Sequence, residues 1–249
     1  MKLGLEGKNA IITGAAGSVG KAIAIGLCEE GAHVALSDAR PANATLEECL
    51  KLGSKASFIQ ADLSRPDDCV ALVDTAESRL GAIDILVNNA GIWPTHYVAD
   101  MPLDEWHKTI DINLTAIFLT CQALVKKALS ENRAAKILNV TSQAAFNGST
   151  TGHAHYAAAK SGVVTFTISL AREVSKKGIN VNAISLGMVE SGMNAEVLAK
   201  NRAYYENRTM IGRIAQPREV ANLAVFLVSQ AADYLTGATY DATGGMVAR

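Results

Sequence analysis

Six short apolar runs, at residues 10–13, 33–37, 56–60, 83–87, 136–140 and 179–184, recur along the chain with longer stretches between them. They are rich in Ile, Val and Leu and are not broken by polar alternation, as expected of parallel strands buried on both faces. The stretches at 20–30, 67–79, 103–129 and 156–177 instead carry apolar residues at helical spacing. Strand and helix alternating in this way confine the chain to one α/β architecture, a doubly wound parallel sheet with helices on both faces. A last helix near 217–229 and a short strand near 238–242 would close an edge.

With 49% hydrophobic and 19% charged residues, the 249-residue chain has ample material for a large core. No linker, repeat or low-complexity block divides it, so residues 1–249 read as a single domain. A formal net charge of -1 removes the basic excess of a nucleic-acid binder. Cys28, Cys49, Cys69 and Cys121 lie too far apart for a metal-ligand pattern and read as reduced, buried thiols. Lys8, Asn9 and Lys21 interrupt any signal-peptide core, and the apolar stretch at 220–228 is too short to span a membrane. A cytoplasmic protein with no membrane partner is expected. Residues 186–213, polar and dotted with Met188, Met193 and Met210, follow the sixth run, where doubly wound sheets bind ligands. They read as a substrate lid or as a long surface excursion.

The first strand runs into Thr13-Gly14-Ala15-Ala16-Gly17-Ser18-Val19-Gly20, and a helix follows at once. Such a turn aims backbone N–H groups and a helix N-terminus at a pyrophosphate, which makes Gly14, Gly17, Ser18 and Val19 cofactor candidates. Asp38 ends the second strand 24 residues past Gly14, placed to accept from adenosine ribose hydroxyls and to repel a 2'-phosphate. NAD is therefore preferred, while Arg40, two residues on, keeps NADP open. Asp62, followed by Leu63 after the third strand, is placed either to bond the adenine edge or to start a turn.

Downstream come Asn88-Asn89-Ala90-Gly91 after the fourth strand and Tyr156-Ala157-Ala158-Ala159-Lys160 on a helix. With the glycine turn, and in this order, these motifs resemble the short-chain dehydrogenase/reductase family over essentially the whole chain, which implies a Rossmann-like fold. The resemblance implies Asn113, Ser142, Tyr156 and Lys160 as the catalytic set, and adds Asn89, Ala90, Gly91, Gly187, Val189 and Ser191 to the cofactor contacts, together with Tyr156 and Lys160. Departures are visible. Ser18 stands at the family's middle glycine, Leu186 at the proline of its Pro-Gly pair, and Ser191 at the threonine of its Val-x-Thr. At Ser18 the reading is either a strained turn or a small residue that still fits, Ser191 keeps a hydroxyl for the nicotinamide carboxamide, and loss of the proline at Leu186 would loosen the start of the lid.

Moving a hydride between an alcohol carbon and nicotinamide also requires a positioned acid/base at the oxygen, with no need of a metal. Tyr156 is the candidate, and Lys160, one helical turn on, is expected to lower its pKa. In the family the lysine also contacts the nicotinamide ribose, the serine holds the substrate oxygen, and the asparagine bends its helix and anchors a relay water. Trp93, Gln143, His153 and His155 are candidate substrate contacts, the histidines being equally readable as helix-entry or surface residues and Trp93 as core or wall. A small-molecule alcohol or ketone, ring-bearing, sugar or polyol, is the expected substrate. The rivals are a 3-oxoacyl-(acyl-carrier-protein) reductase using NADPH and a dinucleotide-sensing scaffold without turnover. The resemblance further implies a homotetramer.

Overall fold

The computed structural model describes residues 2–149 and 151–247. Its strands are β1 (Asn9–Thr13), β2 (His33–Asp38), β3 (Ala56–Gln60), β4 (Ile85–Asn88), β5 (Ala135–Ser142), β6 (Ile179–Leu186) and β7 (Thr239–Ala242). All pair in parallel in the order β3-β2-β1-β4-β5-β6-β7. The order reverses between β1 and β4, and it is outside the carboxyl ends of such strands that ligands bind.

Successive side chains of a strand point to opposite faces, so each buried run feeds two cores. Ala10 and Ile12 of β1 join Ile85, Val87 and Leu138 in one cluster, while Ile11 joins Leu86, Ile137 and Val181 in the other. The first cluster is covered by α1 (Ser18–Glu29), α2 (Asn43–Lys51) and α9 (Pro217–Leu227), the last started by a Gln216/Glu219 capping box with proline in its first turn. The second is covered by α3 (Pro66–Leu80), α5 (Ala116–Ser130) and α7 (Ala154–Val174). All four cysteines are buried and free. The helix α2 carries little apolar periodicity in the sequence, because only Thr45 and Cys49 of it are buried.

Two segments differ from the sequence expectation. The helix expected over 103–129 is α4 (Leu103–Ile110) and α5 joined by a π-helical turn, Asp111–Thr115. Asn113 sits in that turn and donates through Nδ2 to the carbonyls of Thr109 and Ile92, both at 3.0 Å. An inserted side-chain bond of this kind is a known cause of a π bulge, often at a functional site. By length and composition Leu103–Ser130 would also suffice to cross a membrane, more so than the 220–228 stretch, but here it lies against α3, α7 and the sheet. The other segment is 186–213, which is not simply irregular. It holds a 3-10 turn, Gly192–Asn194, then α8 (Ala195–Glu206), kinked at Asn201, both spanned by a bridge that pairs Val189 with Ala215. A short α6 (Ala144–Asn147) completes the α-helices among the described residues.

Candidate active site

The turn after β1 is built around Gly14. Its φ of +69° belongs to the left-handed region, and a Cβ there would lie 2.8 Å from Asn89 Nδ2 and 2.9 Å from the Ala90 Cα. At Gly20 a Cβ would stand 2.2 Å from the Gly14 carbonyl oxygen. Ser18, by contrast, opens α1 without a positive φ, so the strain expected of it is absent: the glycine requirement falls on its neighbours. Gly17 precedes α1 at φ -83°, and no side chain caps the helix. The N–H groups of the first turn, Ser18 and Val19 among them, therefore face the crevice uncapped, a cradle suited to a pyrophosphate.

Thr13 ties this turn to β4. Its Oγ1 accepts from the N–H groups of both Asn89 and Ala90 at 3.0 Å, while Asn89 Nδ2 donates to the carbonyls of Thr13 at 3.0 Å and Gly14 at 3.3 Å. The Asn89 side chain thus braces the cradle. Asp38 closes its other side: Oδ2 accepts from Ala16 N–H and Oδ1 from Arg40 N–H, each at 3.0 Å. The Arg40 guanidinium extends into solvent, its Nε 3.8 Å from Asp38. Asp62 is exposed, and its Oδ1 accepts from Ser64 N–H at 3.0 Å and Ser64 Oγ at 2.7 Å, which holds its carboxyl below the usual value. This is the turn-starting role, with Leu63 half-buried inside the turn.

Ser142 at the end of β5, Tyr156 and Lys160 on α7, and Asn113 in the π turn converge beside the cradle. A Cβ on Gly91 would lie 2.7 Å from Asn113 Oδ1 and 3.6 Å from Lys160 Nζ, so glycine is what lets the post-β4 strand end pass so close. Asn113 is wholly buried, and its Oδ1 accepts from Ile92 N–H at 3.2 Å. Lys160 Nζ donates to the Val140 carbonyl at 2.9 Å and stands 5.7 Å from the centre of the half-buried Tyr156 ring. Ser142 Oγ accepts from Ala144 N–H at 3.2 Å, and the Ser142 hydroxyl acts on the Tyr156 phenol to lower its pKa.

The electrostatics correct one expectation. Burial pushes the Tyr156 phenol above its ordinary value, only partly offset by the Ser142 hydrogen bond. Burial likewise lowers the Lys160 ammonium to about 8. The lysine was expected to pull the phenol down, but its own charge is disfavoured by desolvation, and its proton is directed at a carbonyl. As it stands, this chain holds a protonated phenol.

Leu186 and Gly187 resolve the second departure. Leu186 is the last residue of β6, in register with Ser142 on one side and Ala242 on the other, and its carbonyl accepts from Gln143 N–H at 2.8 Å. Leucine here extends the strand to the start of the segment. Gly187 passes so near Thr243 that a Cβ would lie 3.0 Å from its Cα. Val189 is buried, and the Ser191 hydroxyl donates to Asn194 Oδ1 at 2.9 Å. A cavity of about 900 Å³ opens where Met188, Met210, Ile211 and Arg213 meet Thr243 and Gly244. Neither Ser142 nor Tyr156 lines it.

Trp93 stacks on His153 with ring centroids 4.3 Å apart, and His153 Nδ1 lies 2.8 Å from the Pro94 carbonyl, so these two form a wall before α7. Burial lowers the His153 pKa. Gln143 is half-buried, its side chain 3.4 Å from Asn147 Nδ2. His155 contradicts its assignment as a substrate contact or a surface residue: it is wholly buried and turned toward α4, where Nε2 lies 3.3 Å from Glu105 Oε1. The step from Tyr156 to its neighbour rotates a helix by about 100°, so the two side chains face different ways. Thr13 and Asn88 stood in the sequence motifs without a role, and Asn88 bonds Asn139 at 2.9 Å and Thr120 at 2.9 Å within the core. Glu105 had no sequence signal beyond that of a first-turn acid.

A cradle for a pyrophosphate and a phenol set for proton transfer serve one chemistry together, hydride exchange at a CH–OH carbon, and that makes the protein a dinucleotide-dependent oxidoreductase. A family model described as Enoyl-(Acyl carrier protein) reductase matches residues 14–247. The chain is 38% identical over 245 residues to the 3-oxoacyl-(acyl-carrier-protein) reductase FabG of Vibrio harveyi, covering 98% of this chain and 99% of the relative. It is 36% identical over 251 residues to an L-rhamnose 1-dehydrogenase (NAD(P)(+)) of Sphingomonas sp., covering 99% and 98%. A solved Agrobacterium tumefaciens structure, described as a 2-deoxy-d-gluconate 3-dehydrogenase with bound NADP, superposes with a TM-score of 0.92 at 38% identity, covering 100% and 99% of the two chains. The chain belongs to the short-chain dehydrogenase/reductase family.

Proposed function

We propose that the chain interconverts a secondary alcohol and its ketone with NAD(H), on a ring-bearing alcohol, sugar or polyol. The observation that carries this reading is the meeting of Ser142, Tyr156, Lys160 and Asn113 beside the uncapped α1 cradle. Bound there, the nicotinamide supplies the hydride acceptor or donor. Tyr156 exchanges the proton with the substrate oxygen, and Ser142, whose hydroxyl acts on the phenol, holds that oxygen beside it. Lys160 contacts the ribose and stabilises the phenolate when the phenol gives up its proton. Asn113 anchors a water that passes the proton outward. Gly14, Gly17, Ser18 and Val19 take the pyrophosphate and Asp38 the ribose hydroxyls. Asp62, Leu63, Asn89, Ala90, Gly91, Gly187, Val189 and Ser191 line the remainder, with Trp93, Gln143 and His153 toward the substrate.

Asp38, nearly buried, supports NAD, because a 2'-phosphate would meet its carboxylate. Arg40 and the NADP bound by the Agrobacterium relative weigh the other way. Residues 1–249 form one domain, with 186–213 as the lid. A cytoplasmic homotetramer without nucleic-acid or membrane partners fits the reading, and exposed Leu103, Trp106, Phe118 and Ile168 on α4, α5 and α7 support an apolar contact between copies. A second reading, a 3-oxoacyl-(acyl-carrier-protein) reductase, is favoured by the Vibrio relative. Assaying NAD and NADP against alcohols, polyols, sugars and 3-oxoacyl thioesters separates the two. Turnover confined to thioesters with NADPH overturns the first reading.

A further inference from the structure

The loop between β4 and α4 is fastened to the start of α7 by a set of contacts that the proposed chemistry does not use. His96 N–H donates to the Gly152 carbonyl at 2.8 Å, and Gly152 lies so close that a Cβ would stand 3.2 Å from the His96 carbonyl carbon. Trp93 stacks on His153, which bonds the Pro94 carbonyl. At the centre is Glu105, in the first turn of α4. Its Oε1 lies 2.7 Å from His96 Nδ1 and 3.3 Å from Nε2 of the wholly buried His155. A carboxylate only accepts, so His96 Nδ1 carries the shared proton. The 3.3 Å approach lacks hydrogen-bond geometry, and both ring nitrogens of His155 are without a partner among the described residues. Among the described residues Glu105 is the one acid placed to serve both rings.

We propose that Glu105 is a positioning residue: by gripping His96 on the loop and facing His155 on α7, it sets the Trp93–His153 wall beside Tyr156 and so determines substrate affinity. The inference rests on the oxidoreductase reading for its kinetic arm alone. Trp93 and Trp106 are the two tryptophans of the chain, so Trp106→Phe leaves Trp93 as a reporter of the wall.

In that background Glu105→Ala is expected to free Trp93 from its stacked neighbour, raising its accessibility to acrylamide and changing its emission. For the best alcohol of the panel, KM rises about tenfold while kcat moves by less than about twofold, and NAD affinity is unchanged. Glu105→Gln keeps a carbonyl acceptor for His96 and restores most of both signals, and His96→Ala reproduces the alanine variant. The proposal is overturned if Trp93 emission and quenching in Glu105→Ala match the background, or if Glu105→Gln, natively folded by circular dichroism, behaves as the alanine variant. A parent without turnover overturns the proposed reaction instead, and the Trp93 measurement still decides the clamp.

Discussion

Lys160 Nζ, buried behind the Tyr156 ring, donates to the Val140 carbonyl at 2.9 Å. A single carbonyl does not replace the hydration of an ammonium, and the Lys160 pKa falls from 10.5 to about 8. Between these values the unfolded chain holds a proton that the folded chain has released, so stability rises with pH across that window. Below it the folded state carries a cost on the order of 3 kcal/mol, at about 1.4 kcal/mol per pKa unit. Lys160→Met should therefore abolish turnover and yet be more stable than the parent at pH 7, with the difference shrinking toward pH 10. Denaturant melts at both pH values check this, and equal slopes of stability against pH in parent and variant would refute it.

Because burial keeps the Tyr156 phenol protonated at neutral pH, ketone reduction has its acid ready, while alcohol oxidation must first remove that proton. Oxidation rates should climb with pH where reduction rates do not. Tyr156→Phe should lower kcat by about 10²–10⁴ in both directions with cofactor affinity kept. Ser142→Ala removes the bond that pulls the phenol down and should move the oxidation profile to higher pH. Steady-state profiles in both directions measure all three effects.

Asp38 has two jobs, since the carboxylate meant for the ribose also accepts from Ala16 N–H in the cradle. Asp38→Asn retains an acceptor but loses the charge. The ratio of kcat/KM for NADP over NAD should rise by about tenfold or more, roughly 1.4 kcal/mol, with little change in melting temperature. An unchanged ratio would show that Asp38 does not choose the cofactor.

The glycines of the turn are unequal. A methyl at Gly20 would press to 2.2 Å from the Gly14 oxygen, whereas at Gly17 the nearest atom is 3.3 Å away and φ is ordinary. Gly20→Ala should cost about 1–3 kcal/mol of stability, as overpacking does, and weaken NAD binding, while Gly17→Ala should leave stability nearly unchanged. Thermal melts of the two variants test the contrast.

Sheet and helix order and the pairing of Tyr156 with Lys160 were legible in the sequence because each leaves a local trace, whereas Ser142 and Asn113 entered only through the family resemblance. Buried parallel strands are uninterrupted apolar runs, and an i, i+4 pair shares one helix face whatever surrounds it. The bend at Asn113 was expected only from the resemblance, since the π turn depends on Asn113 meeting the carbonyl of Ile92, 21 residues away. The fit of Leu186 was not legible, since it turns on having strands at both sides.

The short runs by themselves determined the architecture, because periodicity and turn chemistry are properties of neighbouring residues, and the three motifs pointed to the crevice through the family they resemble. Only the tertiary structure decided what those residues are like once there. It buried Lys160 and Tyr156 so that their pKa values moved apart, the ammonium down and the phenol up, moved the glycine requirement from position 18 to Gly14 and Gly20, and turned His155 away from Tyr156 toward Glu105. Desolvation, close approach and partner choice all arise from atoms distant in sequence, and no local pattern encodes them.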